Sequence, residues 1–268
     1  MIPLAGVASR LLGLFMTAPM LNSLRLPNRV KVLLGVSLAL ATYPVVSASA
    51  AVGVDELHML ALAPMLLFEA VIGYTIGLVG SLPLILVQLA GYLVGYQMGL
   101  SLAQVFNPNV DIAADLPGQL LFMLAFGAFL IIDGPEALFL AVVMTFEGAP
   151  PGSIAAVDAP LELLLGVVSG GYEMAMRVAA PVIGLIMLVE VALGVLMRTI
   201  PQINILSIGF GLKILIGATM LFFASAFMAE AIAEHVVEVM RAVVSWASNF
   251  EGSGGLTSAG LMFGGADA

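Results

Sequence analysis

Two glutamates stand inside long apolar runs, and they are the side chains best placed to do chemistry in this sequence. Glu69 is the only charge in residues 57–79, and Glu190 interrupts the apolar run at 174–197. A charge at the centre of a bilayer costs about 2.5–3.5 kcal/mol on insertion scales, so such a residue is by default either functional or paired. Two interpretations stand open: a proton relay, or a protonated or paired contact between helices.

Other chemistries are disfavoured by the residue types present. The sequence has no cysteine, which excludes disulfides, thiolate metal sites and a cysteine nucleophile. Its two histidines, His58 and His235, lie far apart in sequence, which disfavours a haem held by paired histidines. No G-x-S-x-G, H-E-x-x-H or phosphate-binding glycine loop occurs. We therefore expect a protein that is not an enzyme and that needs no cofactor and no metal.

The composition indicates which elements position these glutamates. Of the 268 residues, 62% are apolar and 9% are charged, against about 45–50% and about 25% in soluble domains. Such a chain lacks the surface charge that keeps a soluble enzyme dispersed, and it is far too apolar for a disordered protein. Its net charge of −9 disfavours binding to nucleic acid. The sequence therefore predicts an all-α integral membrane protein.

Charges and turn-forming residues divide the chain into apolar segments. Residues 70–110 carry no charge and are about twice as long as the roughly 20 residues that one span needs, which predicts a turn at Gly80-Ser81-Leu82-Pro83. Residues 116–132 and 137–146 are predicted to form two half-helices of a hairpin broken at Asp133-Gly134-Pro135-Glu136. The remaining predicted elements are spans at 2–24, 32–54, 57–79, 174–197 and 203–229, an amphipathic interfacial or partner-packing helix with Glu230, Glu234 and Glu238 on its solvated side, and a glycine-rich tail.

The basic residues predict an orientation. The positive-inside rule places the cluster of Arg25, Arg29 and Lys31 in the cytoplasm. Counting spans from this cluster puts the turn at 198–202 in the cytoplasm and both termini outside, provided that the hairpin at 116–146 returns to the side it left. Arg10 and Arg177 are single charges near span ends, and we expect both to snorkel to the lipid headgroups.

Glycines spaced by four residues indicate close helix packing. Gly91, Gly95 and Gly99 share one helical face, since four residues advance the helix by about 40° beyond a full turn. Gly73 and Gly77 repeat the spacing once. Small residues let another backbone approach closely within a membrane. The partner is either another segment of this chain or a different subunit.

Three motifs together resemble one family. Residues 25–31 read Arg-Leu-Pro-Asn-Arg-Val-Lys, residues 95–103 read Gly-Tyr-Gln-Met-Gly-Leu-Ser-Leu-Ala ahead of an Asn-Pro pair, and residues 198–204 read Arg-Thr-Ile-Pro-Gln-Ile-Asn ahead of Gly-Phe-Gly-Leu-Lys at 209–213. In this order and spacing the chain resembles the FliR/SctT family of type III export-apparatus proteins, and its flagellar branch in particular. The resemblance covers essentially the whole chain.

The resemblance implies a function that composition does not supply. Such proteins form an export gate in the bacterial inner membrane at the flagellar basal body, with FliP and FliQ homologues, a FlhB homologue and exported flagellar proteins as partners. It implies a FliP-like portion at 1–173, a FliQ-like hairpin at 174–229, and an amphipathic helix with a flexible tail at 230–268.

The resemblance also assigns roles to residues. It implies a pore plug within 105–119, with Val105, Phe106, Asn107 and Pro108 as candidates, and it adds weight to the glycine stripe as a contact between subunits. It places Arg198, Pro201 and Gln202 at the cytoplasmic tip of the FliQ-like hairpin. The chain departs from many relatives at Asp133-Gly134-Pro135, where they carry Asn-Gly-His, so no role for a histidine transfers.

Two other functions remain as alternatives. An injectisome homologue of the SctT type would carry the same motifs in a different secretion system, and neighbouring genes would distinguish the two. A proton-coupled secondary transporter would use Glu69 or Glu190 for coupling, but such transporters often have two similar halves, and no internal repeat is evident here.

Overall fold

The computed structural model describes residues 2–20, 27–47, 59–101, 116–151, 161–199 and 205–248. Within these ranges the chain forms α-helices and no strand, as the all-α prediction requires. The helices are α1 (Ile2–Thr17), α2 (Asn28–Ser47), α3 (Met59–Gln97), α4 (Leu116–Ile131), α5 (Gly134–Gly148), α6 (Leu161–Thr199) and α7 (Ile205–Ser248).

Four of the described helices are long and apolar enough to cross a membrane. The spans are Asn28–Val46, Leu62–Gln97, Leu161–Arg198 and Gly209–Ser248, and the bent pair of α4 and α5 would add a fifth. At about 1.5 Å per residue the longer three exceed the roughly 30 Å of a hydrocarbon core. The chain is an all-α integral membrane protein.

The turn expected at Gly80-Ser81-Leu82-Pro83 is wrong, because α3 runs without a break from Met59 to Gln97. Glycine and proline are tolerated within membrane helices, where neighbouring helices and serine side chains satisfy the freed backbone groups. Gly80 instead serves close packing: a Cβ added to it would lie 2.6 Å from Cδ2 of Leu138. An uncharged run about twice as long as one membrane span therefore need not contain a turn.

The break between α4 and α5 is confirmed, but the hairpin is not. Asp133 adopts a left-handed conformation with φ of 55° and ψ of 37°, and Pro135 follows in the first turn of α5. The peptide N–H of Asp133 donates to the Leu130 carbonyl at 3.2 Å, which closes α4. The two helices are bent by 61° at this break, whereas a hairpin would bring them antiparallel. The orientation counted through a closed hairpin therefore remains a prediction.

The last two helices are longer than the predicted spans. Helix α6 begins at Leu161, and α7 continues through the expected amphipathic segment to Ser248. The apolar side of that segment is buried within the chain at Ile232, Val236, Val239, Met240 and Val243. Its glutamates at 230, 234 and 238 are exposed. The apolar side of the segment is thus packed on its own chain.

The chain divides into two compact units. The first comprises the described residues of Met1–Leu82, Leu130–Val167 and Val237–Ala268, and the second those of Pro83–Phe129 and Val168–Val236. Each has an apolar core of fully buried side chains. In the first unit the core includes Val7, Leu11, Val79, Ala141 and Val142; in the second it includes Val87, Ala90, Leu121, Val182 and Ile186.

Candidate functional site

The first unit holds a sealed ion pair between α1 and α3. Arg10 donates from Nε to Oε2 of Glu69 at 2.7 Å, and its second terminal nitrogen lies 2.6 Å from the same oxygen. The two side chains are only 1% and 2% exposed. Glu69 is therefore an ion-paired contact between helices, which was one of the two interpretations of its sequence position.

The same guanidinium also fastens the end of α5. It donates to the hydroxyl of Thr145 at 2.8 Å and to the carbonyl of Ala149 at 3.0 Å. Ala149 is the C-terminal capping residue of α5, so the cation meets the partly negative end of that helix. The Phe146 ring centroid lies 4.1 Å from the Arg10 Cζ, which adds a cation–π contact. All three guanidinium nitrogens thus have partners.

The backbone of α1 lies directly against α3, and this contact brings Arg10 to Glu69. Glu69, Gly73 and Gly77 follow each other at steps of four and share one face of α3. A Cβ added at Gly73 would collide with the carbonyl oxygen of Arg10. One at Gly77 would lie 2.7 Å from the Leu14 carbonyl oxygen. The glycine spacing noted in the sequence therefore serves a contact within this chain.

Two hydroxyl groups reinforce this contact at either end. Ser9 donates to the Leu66 carbonyl at 2.7 Å, and Thr17 donates to the Tyr74 carbonyl at 3.0 Å. Side-chain hydrogen bonds of this kind join helices where water is absent. The expectation that Arg10 snorkels to the headgroups is therefore wrong: its side chain turns inward because an acid and the end of a helix meet it there.

The second unit holds a more open ion pair. Lys213 of α7 donates to Oε1 of Glu190 on α6. The Gln97 amide on α3 lies 3.4 Å from the other carboxylate oxygen. The Lys213 and Glu190 side chains are 23% and 39% exposed. Glu190 is thus also a paired contact between helices, but one with access to its surroundings.

Contacts at two levels indicate that α6 and α7 are antiparallel neighbours. Near the start of α6, a Cβ added at Gly170 would lie 3.3 Å from Cε1 of His235. Twenty residues further along α6, Glu190 meets Lys213, which lies earlier in α7. Helix α3 packs beside them, since Leu86 contacts Gly171 and Met98 contacts Gly217. The polar cluster of Glu190, Lys213 and Gln97 therefore joins three apolar helices.

Arg177 differs from both clusters. Its guanidinium lies 3.1 Å from the Glu173 carboxylate one turn earlier on α6, and the two side chains are 63% and 74% exposed. Over the described ranges no group of three His, Asp or Glu side chains could hold a metal ion. Three ion pairs are thus established among the described residues, two between helices and one along α6.

The glycines of the stripe Gly91, Gly95 and Gly99 have two different roles: one packs against another helix and one ends α3. Gly91 contacts α4 of the same chain, where a Cβ would lie 2.6 Å from the Gly118 backbone. Gly99 lies beyond the last residue of α3 with φ of 84°. There Gly99 N–H donates to Tyr96 O at 2.9 Å and Leu100 N–H donates to Gly95 O at 3.1 Å, the Schellman arrangement that ends a helix on glycine. A subunit contact through these glycines remains a prediction.

The remaining predicted site residues are only partly covered. Arg198 is exposed at the end of α6. The plug candidates Val105, Phe106, Asn107 and Pro108 lie outside the described residues, as do Pro201 and Gln202 of the hairpin tip. The ion pair at Arg10 was missed by sequence reasoning, although one signal pointed to it: one base and one acid each stand as the single charge of an apolar run.

Comparison with known proteins decides the family. The model of the family described as "Bacterial export proteins, family 1" matches residues 1–239. The chain belongs to this family. This chain is 31% identical to the flagellar biosynthetic protein FliR of Escherichia coli (strain K12) over 212 residues, covering 79% of this chain and 80% of the relative. It is 29% identical to the FliR of Bacillus subtilis (strain 168) over 221 residues, covering 79% and 82%.

A relative named as a secretion system apparatus protein covers less of this chain. The secretion system apparatus protein SsaT of Salmonella typhimurium is 26% identical over 146 residues, covering 54% of this chain and 56% of the relative. The resemblance to the FliR/SctT family is confirmed. The protein is a membrane component of a bacterial type III export apparatus, and its family is one of apparatus components and not of enzymes.

Proposed function

We propose that this protein is a structural subunit of the flagellar type III export gate in the bacterial inner membrane. There it forms, with FliP and FliQ homologues, the pore that passes unfolded flagellar subunits, next to a FlhB homologue. The observation that carries this proposal is similarity over about four fifths of the chain to proteins named flagellar biosynthetic protein FliR. The geometry supports a structural role, because the charges inside its apolar helices are used as contacts between those helices.

The exposed surface of the last two helices favours assembly with other helices. Only 28% of the apolar window in Leu161–Arg198 and 17% of that in Gly209–Ser248 is buried within the chain. Phe222, Phe223 and Phe227 are 74%, 75% and 64% exposed. We infer that this hairpin, with 174–229 as its FliQ-like part, packs against partner helices, while 1–173 is the FliP-like portion and 230–248 extends α7 ahead of the tail.

Assembly gives the direct test of the proposed function. The tagged chain, expressed in a motile flagellated host whose FliR gene is deleted, is expected to restore filament export and to co-purify with the FliP and FliQ homologues. A variant with α6 and α7 removed is the matched control and should do neither. Export that recovers without co-purification of either partner would contradict the gate proposal.

The plug prediction has its own test. Deleting residues 106–115 is expected to raise leakage of small molecules across membranes that contain the assembled complex, because the loop would no longer close the pore. The control replaces Gly184, which has nothing within 4 Å of an added Cβ, by alanine and should leave leakage at the parental level. Parental leakage from an assembled deletion variant would count against the plug.

The injectisome function stays as a second candidate because of the similarity to SsaT. The match covers a smaller share of the chain than the flagellar matches do, and genes for needle and translocator proteins beside this one would favour it. A secondary transporter is disfavoured, since Glu69 and Glu190 are each paired with a basic residue. Solute transport by the purified chain alone, driven by a proton gradient, would revive it.

A further inference from the structure

We propose that Arg10 makes α1 a charge-locked clip: the N-terminal helix is held in the first unit by neutralisation of its guanidinium and not chiefly by its apolar packing. The proposal is independent of the export function. It rests on the sealed ion pair of Arg10 with Glu69, on the additional bonds to α5, and on what α1 would be without them.

The partners of Arg10 all come from distant parts of the chain. Glu69 lies 59 residues later in sequence, Thr145 lies 135 later and Ala149 lies 139 later. Each belongs to the first unit. No charge on α1 itself can replace them, since Arg10 is the only charged residue between Ile2 and Thr17. The docked position of α1 therefore supplies the whole of its neutralisation.

Undocked, α1 has no comparable place to go. Its 16 residues span about 24 Å as a helix, which is short of the roughly 30 Å of a hydrocarbon core. Arg10 stands at its middle, where snorkelling in either direction is longest. A guanidinium stays protonated at any pH that a protein tolerates, so α1 cannot shed this charge in the way that a carboxylic acid can.

This asymmetry between the two partners gives the proposal its sharpest consequence. Removing Glu69 leaves a cation that has lost its anionic partner and cannot shed its charge, whereas removing Arg10 leaves a carboxyl group that can take up a proton. A charge lock therefore ranks Glu69→Leu as more damaging to docking than Arg10→Leu. Packing alone ranks them in reverse, because Arg10 is the larger side chain and also contacts Phe146 and α5.

The natural absence of cysteine allows docking to be measured by a disulfide. A Cβ added at Gly6 would lie 3.1 Å from the Pro151 Cβ, close to the spacing that a disulfide bridges. The pair Gly6→Cys with Pro151→Cys therefore reports whether α1 is docked in the full chain. Met98→Cys with Gly217→Cys reports on the second unit alone, where an added Cβ at Gly217 would lie 2.7 Å from the Met98 Cγ.

The experiment measures the crosslinked fraction of each pair in native membranes under mild oxidation. In the Glu69→Leu background the 6–151 crosslink is expected to fall about tenfold or more, because breaking a buried pair leaves an uncompensated charge. In Arg10→Leu it falls less. In the double variant Arg10→Leu with Glu69→Leu it recovers most of the parental level, and the Thr145 hydroxyl keeps its bond to the Val142 carbonyl. The 98–217 crosslink stays constant throughout.

Three results would overturn the charge lock. They are a parental 6–151 crosslink in Glu69→Leu, a larger loss in Arg10→Leu than in Glu69→Leu, and a double variant that crosslinks no better than Glu69→Leu. Should Glu69→Leu also lose the 98–217 crosslink, the fold as a whole has failed, and the same comparison is made with Glu69→Gln, which keeps the size of the side chain and one acceptor oxygen while removing its charge.

Discussion

The two ion pairs that join different apolar helices have the same chemistry and opposite surroundings. The pair of Arg10 and Glu69 in the first unit is closed off, with side chains 1% and 2% exposed. The pair of Lys213 and Glu190 in the second unit is 23% and 39% exposed. Each pair joins three helices, but the guanidinium of the first also donates to Thr145 and Ala149, whereas the second adds only the Gln97 amide among the contacts described above.

This difference in exposure sets what each pair can do for the structure. A sealed pair cannot exchange its partner for water or lipid headgroups, so losing Glu69 leaves the Arg10 guanidinium with the full cost of an unpaired buried charge. A partly open pair can re-form with other groups and contributes little net stability. The helices that carry these residues differ in burial in the same way. In Leu62–Gln97, which carries Glu69, 61% of the apolar window is buried within the chain, whereas in Gly209–Ser248, which carries Lys213, 17% is buried.

The largest effect is expected from breaking the sealed pair. Glu69→Leu should lower the free energy of unfolding by about 3–5 kcal/mol, because Arg10 is left charged and unpaired in an apolar interior. A lower unfolding temperature of the detergent-solubilised protein and a lower level in membranes measure this loss. The double variant with Arg10→Leu is the control and should recover most of the stability. A single variant as stable as the parent would erase the contrast between the two pairs.

The glycine contact that sets the sealed pair should come second. In Gly73→Ala the new methyl group would collide with the Arg10 carbonyl oxygen, and separating the helices should cost about 1–3 kcal/mol, as overpacking does in other cores. The unfolding temperature should fall accordingly.

A matched glycine makes this prediction specific. Gly184 also lies inside a helix, but an added Cβ there meets nothing within 4 Å. Gly184→Ala should therefore be neutral or stabilise the protein by up to about 1 kcal/mol through helix propensity. Equal losses in both variants would mean that the close approach of α1 and α3 does not govern the sealed site.

The sequence predicts the helices better than it predicts the contacts between them. Apolar runs identify the spans, because burial in lipid or in protein demands the same side chains. Turn residues mislead in this setting: Gly80 and Pro83 lie within one continuous helix. The end of α3 depends on Gly99, whose left-handed conformation caps the helix and takes it out of the stripe that its spacing suggests.

The sealed site shows where prediction from one sequence stops. Glu69 stands out as a charge in an apolar run, and so does Arg10, but nothing local couples residues 59 positions apart. The snorkelling expected of Arg10 fails for this reason, since it considers lipid as the only surroundings. Thr145 and Ala149 carry no signal at all, because a threonine and a backbone carbonyl become partners only after the helices have packed.

A smaller effect is expected at the open pair. Glu190→Gln should cost about 1 kcal/mol or less, because Lys213 remains partly exposed and can find other partners. Export of flagellar subunits, measured by secretion assay, should continue. The control Lys213→Gln together with Glu190→Gln removes both charges of the pair and should behave alike. Loss of export in an assembled, stable Glu190→Gln complex would instead assign this carboxylate a role in proton coupling.

The smallest effect is expected at Arg177, whose ion pair with Glu173 is the most exposed of the three pairs described. Its partner Glu173 lies one turn earlier on the same helix, and both side chains are mostly exposed. An i,i+4 pair of this kind contributes about 0.3–0.5 kcal/mol, so Arg177→Gln should shift the unfolding temperature hardly at all, while Arg10→Gln in a parallel sample shifts it strongly. If Arg177→Gln destabilised the isolated protein as much as Arg10→Gln does, the exposure of the three ion pairs would not predict how much each contributes to stability.

If Arg177→Gln instead weakened only co-purification with partner subunits, the exposed face of α6 at Arg177 would be a subunit contact. Exposure would then predict the contributions of the three pairs within the chain but not within its complex.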